Sequence, residues 1–451
     1  MNAELEQLLR AAVEFHRMGN YAEAAARYNH VLNANPGNPG ALYLMGDIAV
    51  RMGNHGVAIT LLNASCQAKP TSEAYTALGV AYRNENFYAE AAEAWKLGLE
   101  IEPTAELYNN LAANYADHGQ PGLGLYYANA ALEMDPLSPN AQWNKSLALL
   151  TDGTWAEAWP LHEARFNPLV QSVSTLRQHD CPVWDGSRVK RLAVHGEQGI
   201  GDEIMFLSML GEAMLLADEV VLEVEPRLMD LAERSFGITT YGNEQAMRAH
   251  EAPFDAMVAL GSLGQFFRNA PEDFPGTPYL KADPERVAYW RQAYKQQGPG
   301  PYIGVAWQGG TKPTRQHERT VHPADLKFCK KGTAISLQYG DKDAVRQMAL
   351  QAGFVFYPES VGKDIDDLAA MVEACDIIVT VPQTLVHVAG ALGVACHVLT
   401  PLQSSWRYGT KSTMPWYGSV SLHRQTKAND WGHPLAQAKI AIDKLCRGDK
   451  E

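Results

Sequence analysis

Four prolines, Pro36, Pro70, Pro103 and Pro136, recur at intervals of 34, 33 and 33 residues, and each closes a stretch of helical hydrophobic patterning. Proline lacks the N–H that continues a helix and clashes with the preceding turn, so a stop repeated at this period predicts stacked helix pairs rather than one globular core. Small residues recur where paired helices must approach: Gly46, Gly79 and Ala112 on first helices, Ala24, Ala58 and Ala91 on second helices. Phe15, Tyr28, Tyr82, Trp95 and Tyr115 fill the space between, and most of these aromatics are expected to be core and nothing more. A degenerate fifth pair runs from Asn140 to Phe166 and ends in Trp155-Ala-Glu-Ala-Trp-Pro-Leu-His-Glu-Ala-Arg165. Stacked pairs leave a groove that suits an extended peptide, a partner protein or an acceptor. Residues 1–165 are expected to carry their own core and to be separable from the rest of the chain.

Residues 167–186, with Pro168, Pro182 and the turn Trp184-Asp-Gly186, read as a connector into a different kind of chain. A strand, Arg191-Leu-Ala-Val-His195, runs into Gly196-Glu-Gln-Gly-Ile-Gly-Asp-Glu203, with Gly199 and Gly201 permitting a tight turn and Asp202 and Glu203 lying where a helix begins. Asp202 reads either as a helix cap or as a carboxylate facing a crevice. The pattern continues with a helix over 205–217, a strand over 219–225, a helix over 227–235 and a strand at Phe254–Leu260. Such alternation implies a parallel, doubly wound sheet.

The break Gln297-Gly-Pro-Gly-Pro301 opens a second series of the same kind. Strand Tyr302–Trp307 leads into a polar loop from Gln308 to Arg319 that concentrates Lys312, Arg315 and Arg319. Further strands are predicted at Ala334–Gln338 and Val355–Tyr357, and a helix over 368–374. The buried run Asp376–Val381 then stops at Pro382 and turns into the small-residue helix Gln383-Thr-Leu-Val-His-Val-Ala-Gly-Ala-Leu-Gly393, followed by strand Ala395–Thr400. A helix opening there aims free N–H groups and its positive dipole end at whatever lies above the strand, a natural phosphate seat to which Gln383, Thr384 and His387 could add donors. The plain alternative is an ordinary strand–helix–strand unit that binds nothing. Open sheets bind ligands at strand ends, so the cleft between two such series is the expected site.

Charge is uneven along the chain. Residues 1–165 carry nine Lys or Arg against eighteen Asp or Glu, residues 166–299 twelve against nineteen, and residues 300–451 seventeen against fourteen. The last third is therefore the expected home of an anionic ligand, and the acidic first half argues against a nucleic-acid backbone as partner. The six cysteines have no paired spacing and suggest neither a zinc site nor a redox motif. The start of the sequence is acidic, without a basic and apolar leader pattern, and no membrane-length apolar run occurs, so a cytoplasmic protein is expected.

The first third resembles the tetratricopeptide repeat, best in its third unit: Tyr75, Leu78, Gly79, Tyr82, Ala91, Trp95 and Pro103. Glu197-Gln-Gly-Ile-Gly-Asp202, Gly304-Val-Ala-Trp-Gln308, Ser336-Leu-Gln338, the segment 383–393, Pro415-Trp-Tyr417 and Arg424-Gln425 resemble bacterial tetratricopeptide-repeat proteins with a glycosyltransferase domain of the GT-B fold. That domain is similar to heptosyltransferases and, more distantly, to protein O-linked N-acetylglucosamine transferases. The resemblance implies an all-α superhelix over residues 1–166, a connector over 167–186, an acceptor-side Rossmann-like domain over 187–297 and a donor-side one over 298–451. It implies inverting, metal-independent transfer from a nucleotide sugar, without a further cofactor, to a protein or glycan acceptor. Gly201-Asp202 matches the pair that carries the base, with Lys312 as its catalytic cation. Donor contacts are implied at Gly199, Gly201, Gln308, Lys312, Arg319, Gln338, Pro382, Gln383, Thr384 and His387. Pro382-Gln383 stands where the family commonly has Asp-Thr. The rival expectation is a non-catalytic scaffold whose degenerate α/β part binds a nucleotide or nothing; should Asp202 only cap its helix, the base would be sought at His195, Glu197 or Glu203.

Overall fold

The structure is a computed structural model that describes residues 3–448 except 118, 171–173, 175, 178–179, 249–252, 312–313 and 359–363. It divides into two compact units, Met1–Ala148 and Leu149–Glu451.

The first unit is helix pairs throughout: Ala3–Arg17 (α1) with Tyr21–Ala34 (α2), Pro39–Arg51 (α3) with His55–Ala68 (α4), Ser72–Asn84 (α5) with Tyr88–Ile101 (α6), and Ala105–Asp117 (α7) with Pro121–Met134 (α8). Each closing proline is followed within two residues by a side chain that caps the next helix. Asn38 accepts from the Ala41 N–H at 2.9 Å, Thr71 from Ala74 at 3.2 Å, Thr104 from Leu107 at 3.2 Å and Ser138 from Ala141 at 3.4 Å. Stop and restart are thus written side by side, because a capping oxygen satisfies an N–H that the first turn of the next helix leaves open. Between helices the small positions do what the period predicts. A Cβ on Gly46 would lie 2.6 Å from the Leu62 side chain, and one on Gly79 would overlap the Trp95 indole, whose Nε1 donates to the Thr76 carbonyl at 3.1 Å.

The second unit begins inside Pro139–Asp152 (α9) and includes Trp155–His162 (α10). The sequence pattern ends the repeats at 166, but packing assigns this last segment to the α/β unit. The reason is chemical. Trp159 Nε1 donates to the Arg268 carbonyl at 2.7 Å, and a Cβ on Gly264 would sit 2.6 Å from the same indole. Arg165 is fully buried and makes a two-pronged pair with Glu197, 2.7 Å at both contacts, while donating to Ser262 Oγ at 2.8 Å.

Val189–His195 (β1), Ile200–Phe206 (α11), Leu210–Met214 (α12), Ala217–Glu223 (β2), Met229–Phe236 (α13), Thr239–Tyr241 (β3), Glu244–Arg248 (α14) and Ala256–Ala259 (β4) form the first α/β series. Its strands are parallel in the order β3-β2-β1-β4. Asp202 and Glu203 lie in the first turn of a helix, as expected, but that helix starts at Ile200 with Gly199 as its cap, and the stretch predicted as one helix over 205–217 tightens into a 3₁₀ turn at Leu207–Met209.

Gly264–Phe267 (α15) and Pro284–Gln297 (α16) lead to Tyr302–Val305 (β5), Thr333–Ser336 (β6), Lys342–Ala352 (α17), Ile365–Glu373 (α18), Ile377–Thr380 (β7), Thr384–Leu392 (α19), Cys396–Thr400 (β8), Val420–Arg424 (β9) and Gly432–Arg447 (α20). This sheet is parallel in the order β6-β5-β7-β8-β9. Strands β4 to β8 are buried along their whole length, as parallel strands covered on both faces must be. Val355 makes only an isolated bridge to Ile335, not the strand predicted at 355–357. In each sheet the strand order reverses beside the first strand, between β1 and β4 and between β5 and β7. Crevices for ligands open at the carboxyl ends of strands where the order reverses.

Candidate functional site

The carboxyl ends of β1 and β7 both turn directly into helices. From β1 the chain passes through Gly196 and Gln198, whose φ is 64°, to the cap Gly199. From β7 it passes through Pro382 to the cap Gln383, which makes no side-chain cap bond, so the first N–H groups of α19 are left to other partners. The two helix starts meet. A Cβ on Gly201 would be 3.1 Å from His387 Cδ2 and 3.6 Å from Thr384 Oγ1, so a side chain there would press His387 back, and glycine lets the first turn of α11 lie this close to α19.

The two carboxylates of that turn point apart. Glu203 is buried, with Oε2 accepting from the Glu225 N–H at 2.8 Å and Oε1 packed under Gly196. Burial, with Glu225, Glu223 and Asp202 nearby, pushes its carboxyl up to about 8. Asp202 instead forms an ion pair with Arg407 Nε, and does not cap its helix. Arg407 also donates to Gln198 Oε1 at 3.2 Å and lies over the Trp406 ring, 5.2 Å from its centroid.

Arg407 is the residue that sequence reasoning misses. It sits on the 3₁₀ turn Trp406–Tyr408 beyond β8, and the loop is shaped by Arg424 at the end of β9. Arg424 donates to the carbonyls of Lys411 at 2.8 Å, Tyr408 at 2.6 Å and Gly409 at 2.9 Å, and to Ser404 Oγ at 2.9 Å. Burial lowers its guanidinium to about 10. The sequence signal for Arg407 is weak: a basic residue between two aromatics after a strand end, in the net-positive third of the chain.

His387 is buried, with Nδ1 3.1 Å from the Tyr417 hydroxyl; burial first, and Arg407 second, hold it neutral by lowering its pKa to about 3. Arg319 folds back onto Thr314, bonding its carbonyl and, at 2.7 Å, its hydroxyl. Burial, followed by the nearby Arg315 and Arg407 charges, lowers its pKa. The loop that bears it is closed by the Gln308–Thr320 bridge and leans on the second turn through Gly309, where a Cβ would overlap the Pro382 carbonyl. Lys312 lies outside the described residues.

Two expected donor contacts have other employment. Gln338 accepts from the N–H groups of Trp307 and Gln308, both at 2.8 Å, and donates to the carbonyls of Gln308 at 2.9 Å and Tyr339 at 2.6 Å. Its amide is fully used in clamping the end of β5, which leaves nothing for a ligand. Gln383 donates to Thr380 Oγ1 at 2.9 Å. Of the alternative bases, Glu197 is locked between Arg165 and the Gly261 N–H at 2.9 Å, while His195 is buried at the end of β1.

Residues 15–82 and 109–161 match the tetratricopeptide repeat family. The N-terminal region is a tetratricopeptide-repeat array. Nearly the whole chain, 94% of it, is similar to protein FlbA of Caulobacter vibrioides, at 28% identity over 465 residues and 76% of that protein. The chain is also similar to the solved structures of MamA (21% identity, 37% of this chain, 92% of that one, TM-score 0.34) and of Pseudomonas aeruginosa PilF (12%, 38%, 78%, 0.35). No helix among the described residues is long and apolar enough to cross a membrane.

Proposed function

We propose that the α/β unit is a GT-B glycosyltransferase that moves a sugar from a nucleotide-sugar donor, with inversion, to a protein or glycan acceptor that the repeats help to select. The observation that carries this reading is the meeting of the two strand-to-helix turns, with Asp202 on one, the open start of α19 on the other and Arg407 beside both. Transfer needs a base for the acceptor hydroxyl and positive groups for the departing diphosphate. Asp202 accepts the proton. The N–H groups of α19, the Thr384 hydroxyl, Arg319 and Arg407 stabilise the leaving group, and Lys312 on the same basic loop adds to them. The role of His387, held neutral, is to orient Tyr417 and to donate rather than to carry charge. A scaffold that only binds a nucleotide is the second reading, favoured by one observation: Asp202 is occupied by Arg407.

A thermal-shift series with nucleoside diphosphates and nucleotide sugars tests the reading, since a ligand at a hundred times its Kd stabilises by about 2.7 kcal/mol. Thr384→Glu removes that stabilisation. Asp202→Asn retains it, because the freed Arg407 still faces the phosphates, but loses transfer by on the order of 10²–10⁴-fold. Nucleotide binding with undiminished transfer in Asp202→Asn assigns the base elsewhere; binding with no transfer from any nucleotide sugar leaves the scaffold.

A further inference from the structure

A cavity of about 300 Å³ is lined by Trp406 but not by its neighbour Arg407. Trp155, Phe274, Trp406 and Trp416 form its walls. They are braced against one another: Trp155 and Phe274 have ring centroids 4.4 Å apart, Phe274 and Trp416 5.0 Å, Trp406 and Trp416 6.3 Å. Trp416 and Trp406 are 3% and 8% exposed, so the walls are fixed before anything enters. The rim is of another character. Asp152 and Lys411 supply opposite charges, and Thr151, Thr410 and Thr413 supply hydroxyls.

Resting on the glycosyltransferase reading, we infer that this cavity holds the terminal sugar ring of a glycan acceptor. A pyranose ring has apolar C–H faces and a belt of hydroxyls that both donate and accept. Aromatic walls match the faces, and a rim of carboxylate, ammonium and hydroxyl groups matches the belt. An apolar peptide side chain would match the aromatic walls but make no use of the hydroxyls and charges at the rim. The donor's own sugar is a poorer occupant, because it is tethered to the diphosphate, and neither Asp202, Arg319 nor any residue of the α19 start lines the cavity.

The test is a calorimetric titration of the full chain with methyl glycosides of glucose, mannose and N-acetylglucosamine, with N-acetyltryptophanamide, and with nucleoside diphosphates. At least one methyl glycoside saturates in the millimolar range expected for a ring of about a dozen heavy atoms. Trp155→Ala, on a partly exposed wall, weakens it by about tenfold, Trp155→Phe largely restores it, and nucleoside diphosphate affinity stays unchanged in both. The unchanged diphosphate affinity also shows that the variants remain folded. The inference is overturned when no methyl glycoside binds, when binding ignores Trp155, when only N-acetyltryptophanamide binds in a Trp155-dependent way, or when the Trp155 variants affect nucleotide sugars alone. Failure of every nucleoside diphosphate to bind counts against the enzyme reading instead, whatever the glycosides do.

Discussion

The repeat unit and the α/β unit bury different things. The buried polar residues described within Met1–Ala148 are Asn38, Ser65, Ser72, Asn114 and Ser146, all neutral. Those of the second unit include Arg165, Glu197, Glu203, Glu223, Arg268 and Asp366. Helix pairs satisfy their own backbone and are held by shape, small residue against large, so charge can stay outside. At the strand ends of a parallel sheet, loops must be fastened over open backbone groups, and here the fastening is done by guanidinium groups and carboxylates. Asp202 and Arg407 belong to the same class of contact as Glu197 and Arg165, but their side chains keep 15% and 21% of their exposure where the buried pair keeps none.

The comparison breaks hardest at Arg165. Arg165→Ala leaves Glu197 buried without its partner, which costs about 3–5 kcal/mol. The loss is confined to the α/β unit, so two thermal transitions followed by circular dichroism and proteolysis should separate, with the repeat helices melting last. A single unshifted transition would show that the buried pair holds nothing.

Glu203 sharpens it through pH. The unfolded carboxyl ionises near 4.5, whereas the folded one keeps its proton to about 8. Between those values the unfolded chain has released a proton that the folded chain retains, so this group's contribution is fully present below the lower value and is lost as pH rises through the window. Glu203→Gln removes the dependence. Its stability relative to the parent should grow from about pH 5 to about pH 8, by up to about 1.4 kcal/mol per unit, in denaturant titrations. A difference that stays flat with pH contradicts the burial argument.

The smallest effect belongs to the repeats. Gly79→Ala drives a methyl into the Trp95 indole and, as overpacking, costs about 1–3 kcal/mol. Because contacts in such arrays run only to neighbours, hydrogen exchange should quicken in α5 and α6 and leave β1 and β7 untouched. Spread of the change into the sheets would refute the division of labour.

The sequence speaks clearly where structure is local. Proline period, small helix positions and the two strand-to-helix turns are legible because each rests on neighbours a few residues away. Gly201, Asp202 and Thr384 can be singled out for that reason. Arg407 cannot, since its place depends on Arg424 gripping a loop from the next strand. Gln338 misleads for a related reason: a polar residue at a strand end looks the same whether it awaits a ligand or already clamps a backbone. The end of the fifth helix pair reads correctly as a repeat to residue 161, but helical patterning does not say which core a helix joins, and this one packs with the α/β unit.

That last segment bears on how such a protein could have been assembled and can be taken apart. Between Trp155 and Phe166 the chain is repeat by pattern and α/β by attachment, with Trp159 bonded after β4 and Arg165 bonded after both β1 and β4. A cut after Phe166, where the repeats end to the eye, would carry away two pieces of the sheet unit's interior and strand Glu197. Heredity faces the same constraint as the experimenter. A gene exchange that swaps repeat arrays keeps Trp159 and Arg165 with their partners when it breaks upstream of Trp155, so the final helix of the array then travels with the sheets and not with its sisters.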